Sequence, residues 1–293
     1  MGPPTGNPAL PSPIDRHAAA GLMAPLTELV ALAGSAILKV DRARMRIDGK
    51  TDGSPVTEAD LAADRIIADG LARLAPEIPA LSEERASRVA AGGSAAFFLI
   101  DPLDGTKEFV AGRNEFTVNI ALVVNGVPLI GIIGAPALGL IWRGLVGQGA
   151  ERLTTANGIG TAAPIRTRPF PPSGQPWIAA VSRSHGDPAT EAFIDRRRGA
   201  VRKRLGSAVK FAKVAEGAVD IYPRLAPTRE WDVAAGHAIV TAAGGRITDP
   251  NGADLRFGQV TRDGTQEGAQ GGAKDFLVPG FIAWGDPRLS ASP

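Results

Sequence analysis

A mixed α+β fold in two halves is predicted from three features of this 293-residue chain. Helical periodicity fills its first part, strand signals with hairpin punctuation dominate the middle, and strands alternate with helical stretches beyond a proline-rich break. The first half then carries helices followed by an antiparallel-rich sheet, and the second is a smaller α/β unit. A hydrophobic content of 44% is ample for a sizeable core in one large domain or two ordinary ones.

The elements follow in order. The opening MGPPTGNPALPSP is proline-rich and lacks the basic start and apolar centre of a signal peptide, so residues 1–17 are expected to be a disordered lead-in. Leu22, Leu26, Leu29, Val30 and Leu32 recur at helical spacing and predict an amphipathic helix over about 18–46. Pro25 and Glu28 interrupt that stretch and argue against a membrane span. A second helix is predicted over 58–74, with Thr57 as its cap, Asp60 three residues on, and Leu61, Ile66 and Leu71 as its apolar positions. Strands are predicted at 80–82, 97–100, 117–124, 128–135 and 140–145. The long apolar run 118–142 reads as buried sheet, because Asn125-Gly126 is a hairpin turn and Pro128 and Pro136 punctuate it. RTRPFPPSGQP (166–176) is the expected boundary between domains 18–170 and 171–293. Beyond it a strand is predicted at 177–181 and helices at 189–197, 208–216 and 232–243, with a mobile glycine-rich loop at 261–274.

Composition excludes several functions. Basic and acidic residues number 32 and 30, so the chain lacks the broad cationic surface of a nucleic-acid binder. Without cysteine there is no disulfide framework, thiolate nucleophile or zinc–thiolate site, and only His17, His185 and His237 could offer nitrogen. Any metal is expected to be held by oxygen. A cytoplasmic protein without stable membrane insertion follows by default, and a homo-oligomer is left open.

The chemistry concentrates in FFLIDPLDGTKEF (97–109). If the apolar run is a buried strand, Asp101 and Asp104 emerge together at its end, Pro102 stiffens the turn and Gly105 permits a sharp one. Two adjacent carboxylates repel, and a hard cation such as Mg²⁺ between them relieves the repulsion, often with a backbone carbonyl such as that of Leu103. The N–H groups of Gly105 and Thr106 then open a helix and suit a phosphate. LSEE (81–84) puts Glu83 and Glu84 at another strand end, and EWDVAAGHAIVTAAGG (230–245) puts Asp232 in the first turn of a helix. Each segment alone also has an ordinary reading: a turn, a solvated acidic pair, a helix cap.

Taken together and in this order, SPVTEAD, LSEE, DPLDGTKEF and WDVAAGHAIVTAAGG resemble the Mg²⁺-dependent, lithium-sensitive phosphatases of the inositol monophosphatase superfamily. DPLDGTKEF, SRSH (182–185) and LGSAVKFAKVAEGAVDIYPRLAPTREWD (205–232) are similar to its 3′(2′),5′-bisphosphate nucleotidase branch, which converts 3′-phosphoadenosine 5′-phosphate to AMP in sulfur assimilation. The resemblance implies a layered αβαβα sandwich and two to three Mg²⁺ ions between its halves. It implies Glu83, Asp101, the Leu103 carbonyl, Asp104 and Asp232 as metal ligands, with Glu83 also counted among the catalytic residues. Asp60 would pair with the Thr106 hydroxyl to orient the attacking water, and Gly105 and Thr106 would hold phosphate. For the substrate it points to Ser182, Arg183, Ser184, His185, Gly206, Ser207, Lys210, Tyr222 and Arg224. Lys210 and Arg224 suit a second phosphate, and Tyr222 offers a flat surface to adenine or is simply a half-buried strand tyrosine. His185 and His237 lack a ligand-type partner at helical spacing and read as surface or satisfied polar residues.

Other signals are weaker. GIGTAA (158–163) fits a dinucleotide fingerprint, but Pro164 follows and no helix opens there. No P-loop motif occurs. The basic cluster RRRGAVRKR (196–204) has no interleaved aromatics and reads as a solvated face or an anion-steering patch. The expected partner is a small phosphorylated molecule. An inositol or sugar phosphatase with the same metals is the nearest alternative, and a phosphate or nucleotide binding protein without turnover is the remote one.

Overall fold

Helix α1 (Arg16–Lys39) begins inside the expected lead-in, where the Asp15 carboxylate caps it by accepting the Ala18 N–H at 2.7 Å. The computed structural model describes residues 14–49, 55–88, 94–155, 158–184, 186–197, 199–258 and 276–288, so the 261–274 loop and most of the lead-in lie outside the described residues. The helix stops at Lys39 and not near residue 46. Val40 turns to extended backbone, and the Asp41 side chain draws the Ala43 N–H into a local turn that competes with the helix. Its core face is Leu26, Leu29, Val30, Ala33 and Ile37, whereas Leu32 is 60% exposed. By length and composition α1 could cross a membrane, but this face is packed into the core.

A short hairpin of β1 (Ile47–Gly49) and β2 (Pro55–Thr57) leads into α2 (Glu58–Leu74), which has the bounds read from the sequence. Of its predicted apolar positions Leu71 is buried and Ile66 packs on the core, whereas Leu61 is 48% exposed, and Ala59, Ala63, Ile67 and Gly70 complete the buried face. Small residues are required because α1 lies so close, and a Cβ at Gly70 would fall 2.4 Å from a Leu29 methyl.

The first sheet has seven strands in the order β3-β4-β5-β6-β7-β8-β9. These are Ala80–Ser82, Ala96–Asp104, Thr117–Val124, Val127–Ala135, Leu140–Leu145, Gly149–Thr154 and Ala163–Ile165, with α3 (Thr106–Val110) between β4 and β5. β3 runs parallel to β4, and the remaining neighbours pair antiparallel as an up-and-down meander. Asn125 and Gly126 both take positive φ, 51° and 75°, which joins β5 to β6 by the tight hairpin expected of Asn-Gly. β4 extends past the expected residue 100 to Asp104, with its register shifting between Asp101 and Asp104.

Alternation along β4 and β5 divides the core. Phe98, Ile100, Val118 and Ile120 join the cluster under α1 and α2, whereas Phe97, Leu99, Ala121 and Val123 face the other way. After the proline-rich stretch come β10 (Ile178–Ser182), α4 (Pro188–Asp195), β11 (Val201–Leu205), α5 (Val209–Ala215) and β12 (Ile221–Arg224). The chain continues through β13 (Thr228–Arg229), α6 (Glu230–Ala242), β14 (Arg246–Thr248), β15 (Leu277–Val278) and β16 (Phe281–Trp284). A five-stranded sheet, β11-β10-β12-β16-β14, forms from these segments, and β13 pairs separately with β15. Helices α5 and α6 share one apolar cluster with residues of both large sheets, and Ile194 of α4 packs on the far face of the second. The layers therefore run α1/α2, first sheet, α5/α6, second sheet, α4: an αβαβα sandwich. The basic cluster 196–204 largely forms edge strand β11, where Arg202 pairs with Glu191 at 2.7 Å and Asp195 at 2.5 Å.

Candidate active site

The end of β4 and the start of α3 form one corner of the site. Asp101, 1% exposed, accepts the Leu103 N–H at 3.1 Å, which folds the DPLD turn back on its own carboxylate. Gly105 has φ +92°, and a Cβ there would fall 2.1 Å from the Ser207 hydroxyl oxygen, so both conformation and space require glycine. The Ser207 hydroxyl lies 2.9 Å from the Asp104 carbonyl and 2.8 Å from that of Glu115, tying this loop to the start of α5.

A cavity of about 230 Å³ opens beside that corner. Glu83, Asp101, Leu103, Asp104 and Asp232 line it, as do Gly105 and Thr106. Ser182, Ser207, Lys210, Tyr222 and Arg224 line it from the second half of the chain. Segments distant in sequence are thus brought to one hollow. Glu83 arrives on the 3₁₀ turn Glu83–Arg88 directly after β3, and Asp232 sits in the first turn of α6, where it accepts from the Thr228 hydroxyl and, at 3.2 Å, from the Arg229 N–H.

Asp60 stands behind the lining, 1% exposed at the N-terminus of α2. One of its oxygens accepts from the Thr57 N–H at 2.8 Å and the Thr57 hydroxyl at 2.6 Å. The other lies 3.0 Å from the Thr106 hydroxyl, which is 3.2 Å from the Leu103 carbonyl. The predicted Asp60–Thr106 pair is therefore present, and the capping box that starts α2 also orients it.

Three of the expected substrate residues stand outside the lining. Arg183 forms a forked pair with Glu115 at 2.9 and 3.0 Å, the Gly206 N–H donates to the same carboxylate at 2.9 Å, and the Ser184 hydroxyl donates to Glu108. These contacts clamp the 105–116 loop onto the ends of β10 and β11. His185 lies outside the described residues. His237 is buried edge-on against Phe257, away from the cavity, and burial pushes its pKa down to about 4.

The sequence reading gave no role to Glu108, Phe211 or Lys107, which also line the cavity, nor to Glu115. Glu108 belongs to the DPLDGTKEF motif itself, so a signal was present. Glu115 carries none in the sequence.

Electrostatics sets the character of the hollow. Burial first, then the neighbouring Asp232, push the Asp104 carboxyl up to about 6, against the pull of Lys210, the Ala208 N–H and Arg224. Burial pushes Lys210 down to about 8, with Asp104 working in the opposite direction. For Arg224 burial disfavours the charge, yet Tyr222, Asp232 and Asp104 raise its pKa on balance. Among the described residues no three Asp, Glu or His side chains stand together at ion-binding spacing, so the carboxylates share a cavity and not a closed shell. The donor set nevertheless fits a hard divalent cation: it is all oxygen, and the strain between Asp104 and Asp232 is of the kind a cation relieves.

With this geometry in view, comparison with known proteins fixes the class. The model of the inositol monophosphatase family matches residues 21–278, and the chain belongs to that family. Among curated relatives, the 3′(2′),5′-bisphosphate nucleotidase CysQ of Escherichia coli O157:H7 is 38% identical over 257 residues, covering 87% of this chain and 96% of that protein. CysQ of Salmonella typhimurium is 39% identical over 258 residues with the same coverage. Among solved structures, CysQ from Bacteroides thetaiotaomicron superposes with a TM-score of 0.69 at 32% identity, covering 90% of this chain and 97% of that one.

Proposed function

We propose that the protein is a Mg²⁺-dependent 3′(2′),5′-bisphosphate nucleotidase that removes the 3′-phosphate of 3′-phosphoadenosine 5′-phosphate to give AMP and phosphate. The observation that carries the reading is a single cavity lined by Glu83, Asp101, Asp104 and Asp232 together with Lys210 and Arg224. Acid oxygens at one hollow suit metal ions, and nearby cations suit a second phosphate. The names of the nucleotidase relatives support the same substrate.

In this reading Glu83, Asp101, the Leu103 carbonyl, Asp104 and Asp232 would hold two to three ions. Bound magnesium supplies positive charge at the transferring phosphoryl group and acidifies water. Asp60, already committed to Thr57 through one oxygen, accepts the Thr106 proton through the other. The Thr106 lone pairs are then turned outward to accept a hydrogen bond from the attacking water and to fix its direction. The backbone N–H groups of Gly105 and Thr106 face the phosphate, and no covalent intermediate is needed. Lys210 and Arg224 hold the second phosphate, and Tyr222 presents a surface to the base. Residues 18–170 thus carry most of the metal site and residues 171–293 most of the substrate site, with Asp232 crossing between them. A cytoplasmic location goes with this reading, and α1 is a core helix within it.

The test is a substrate panel. Purified protein with Mg²⁺ receives equal concentrations of 3′-phosphoadenosine 5′-phosphate, inositol 1-phosphate and fructose 1,6-bisphosphate, and phosphate release is followed. The highest kcat/KM is expected for the bisphosphate nucleotide. Preference for inositol 1-phosphate would overturn the substrate assignment, and binding of the nucleotide without turnover would overturn the enzyme assignment.

A further inference from the structure

Asn119 lies on β5 and is 1% exposed, yet among the described residues neither its side-chain nitrogen nor its side-chain oxygen has a hydrogen-bond partner. A buried amide with neither group satisfied is costly, and an apolar side chain of the same size would avoid the cost. Its position gives the reason it is kept. In the antiparallel ladder Asn119 is directly opposite Asp101, so the two side chains share a face of the sheet, with Cβ atoms expected about 5 Å apart. Asp101 lines the cavity, and Asn119 is buried behind it.

Helix α6 covers the same face. The Ala235 carbonyl presses on Gly131 of β6, and Ile239 presses on Gly144 of β7. Traced backward, the helix runs from β7 over β6 toward β5 and β4, which brings its first turn, with Asp232, toward the Asp101–Asn119 pair. An unpartnered amide is thus buried directly opposite a carboxylate that lines the hollow.

We propose that Asn119 is a positioning residue for the ion-binding carboxylates, its amide N–H groups donating to Asp101 from behind when that side chain faces a divalent cation. The inference rests on the reading of the cavity as a cation site. A carboxylate offers about four lone-pair sites, so Asp101 can keep the Leu103 N–H, face an ion and still accept from an amide. Donors of this kind orient ligands without touching the metal, and their loss typically costs about 10–100-fold in metal affinity.

The test uses Asn119→Leu in the full chain, with Mg²⁺ alone as the probe. Affinity is measured by calorimetric titration, and the melting temperature is taken without metal. The expected result is a fall of about 10–100-fold in Mg²⁺ affinity with a metal-free melting temperature equal to or above that of the wild type, since the unsatisfied amide is gone. A merely structural asparagine would leave Mg²⁺ affinity unchanged, and affinity within twofold of the wild type would overturn the proposal. Should the leucine variant not fold, Asn119→Ser and Asn119→Ala are compared, with tighter Mg²⁺ binding expected for serine and equal binding counting against the idea. Failure of the wild type itself to bind Mg²⁺ would overturn the cation site and this inference together, whereas wild-type binding that the leucine variant retains would overturn the role of Asn119 alone.

Discussion

The acidic and the cationic linings of the cavity are built by different means. Asp101 is folded onto the Leu103 N–H two residues away, Asp232 onto Thr228 and Arg229, and Asp60 behind them onto Thr57, so these three acids are set by the turn or helix start that carries them, whereas Asp104 accepts from Thr117 of β5 and from the Ala208 N–H. Lys210 and Arg224 depend on the packing of the second half. The Lys210 ammonium donates to the Ser207 carbonyl at 2.6 Å and lies 5.2 Å from the centre of the Tyr222 ring, which is itself wedged edge-on between Phe211 and Phe281. The difference teaches that local chain geometry sets Asp60, Asp101 and Asp232, and that an aromatic cluster around Tyr222 flanks the cations. Substitutions on the two linings should therefore damage different kinetic constants.

Asp104→Asn tests the acidic lining most severely. Turnover of 3′-phosphoadenosine 5′-phosphate is expected to fall by at least about 10³-fold, as when metal-held charge stabilisation of roughly 4 kcal/mol is lost. Near-normal kcat in steady-state assays would remove Asp104 from the reaction.

Thr106→Ala comes next. It removes the hydroxyl held by Asp60 while leaving the α2 capping box intact, and kcat should fall by about 10²-fold, the lower range for proton-handling groups. Thr106→Ser should restore most of the rate. If serine rescues nothing, the hydroxyl is not what matters.

On the cationic lining, Arg224→Gln should raise KM for the bisphosphate nucleotide about tenfold with kcat little changed, the signature of lost uniform binding. A substrate with a single phosphate should be less affected. A fall in kcat equal to that of Thr106→Ala would erase the contrast between the two linings.

The smallest effect concerns the helix that joins the halves. His237 on α6 is buried with its pKa lowered to about 4 from 6.5, so the unfolded chain takes up a proton before the folded one does. Its stabilising contribution is present above pH 6.5 and is lost as the pH falls toward 4; between pH 7 and 5.5 the loss is about 1 kcal/mol. Denaturant titrations of His237→Phe should show a shallower decline over that interval. An identical pH slope would show that His237 charges equally well in the folded state.

Legibility in the sequence follows the same division. DPLDG, LSEE and the start of α6 are short-range patterns, and the acids they carry meet as expected in one cavity. The Asp60–Thr106 hydrogen bond was implied by the family resemblance and is present across 46 residues of sequence. The α2 bounds and the Asn-Gly hairpin were equally plain, since capping and turn chemistry are local. The apolar faces of α1 and α2 were partly so: Leu26, Leu29, Val30 and Leu71 are buried as read, whereas Leu32 and Leu61 are exposed. Strand β11 was hidden within a basic cluster, its charges being tolerable only at a sheet edge. Arg183, Ser184 and Gly206, expected around the substrate, engage Glu115 and Glu108, carboxylates whose reach across the fold no spacing reveals.

Crystals grown with Mn²⁺ in place of Mg²⁺ would test the central claim most directly through the anomalous signal of the ion. Peaks are expected within coordination distance of Asp101, Asp104 and Asp232. A fully loaded crystal with those carboxylates bare, or with manganese bound only elsewhere on the chain, would contradict it.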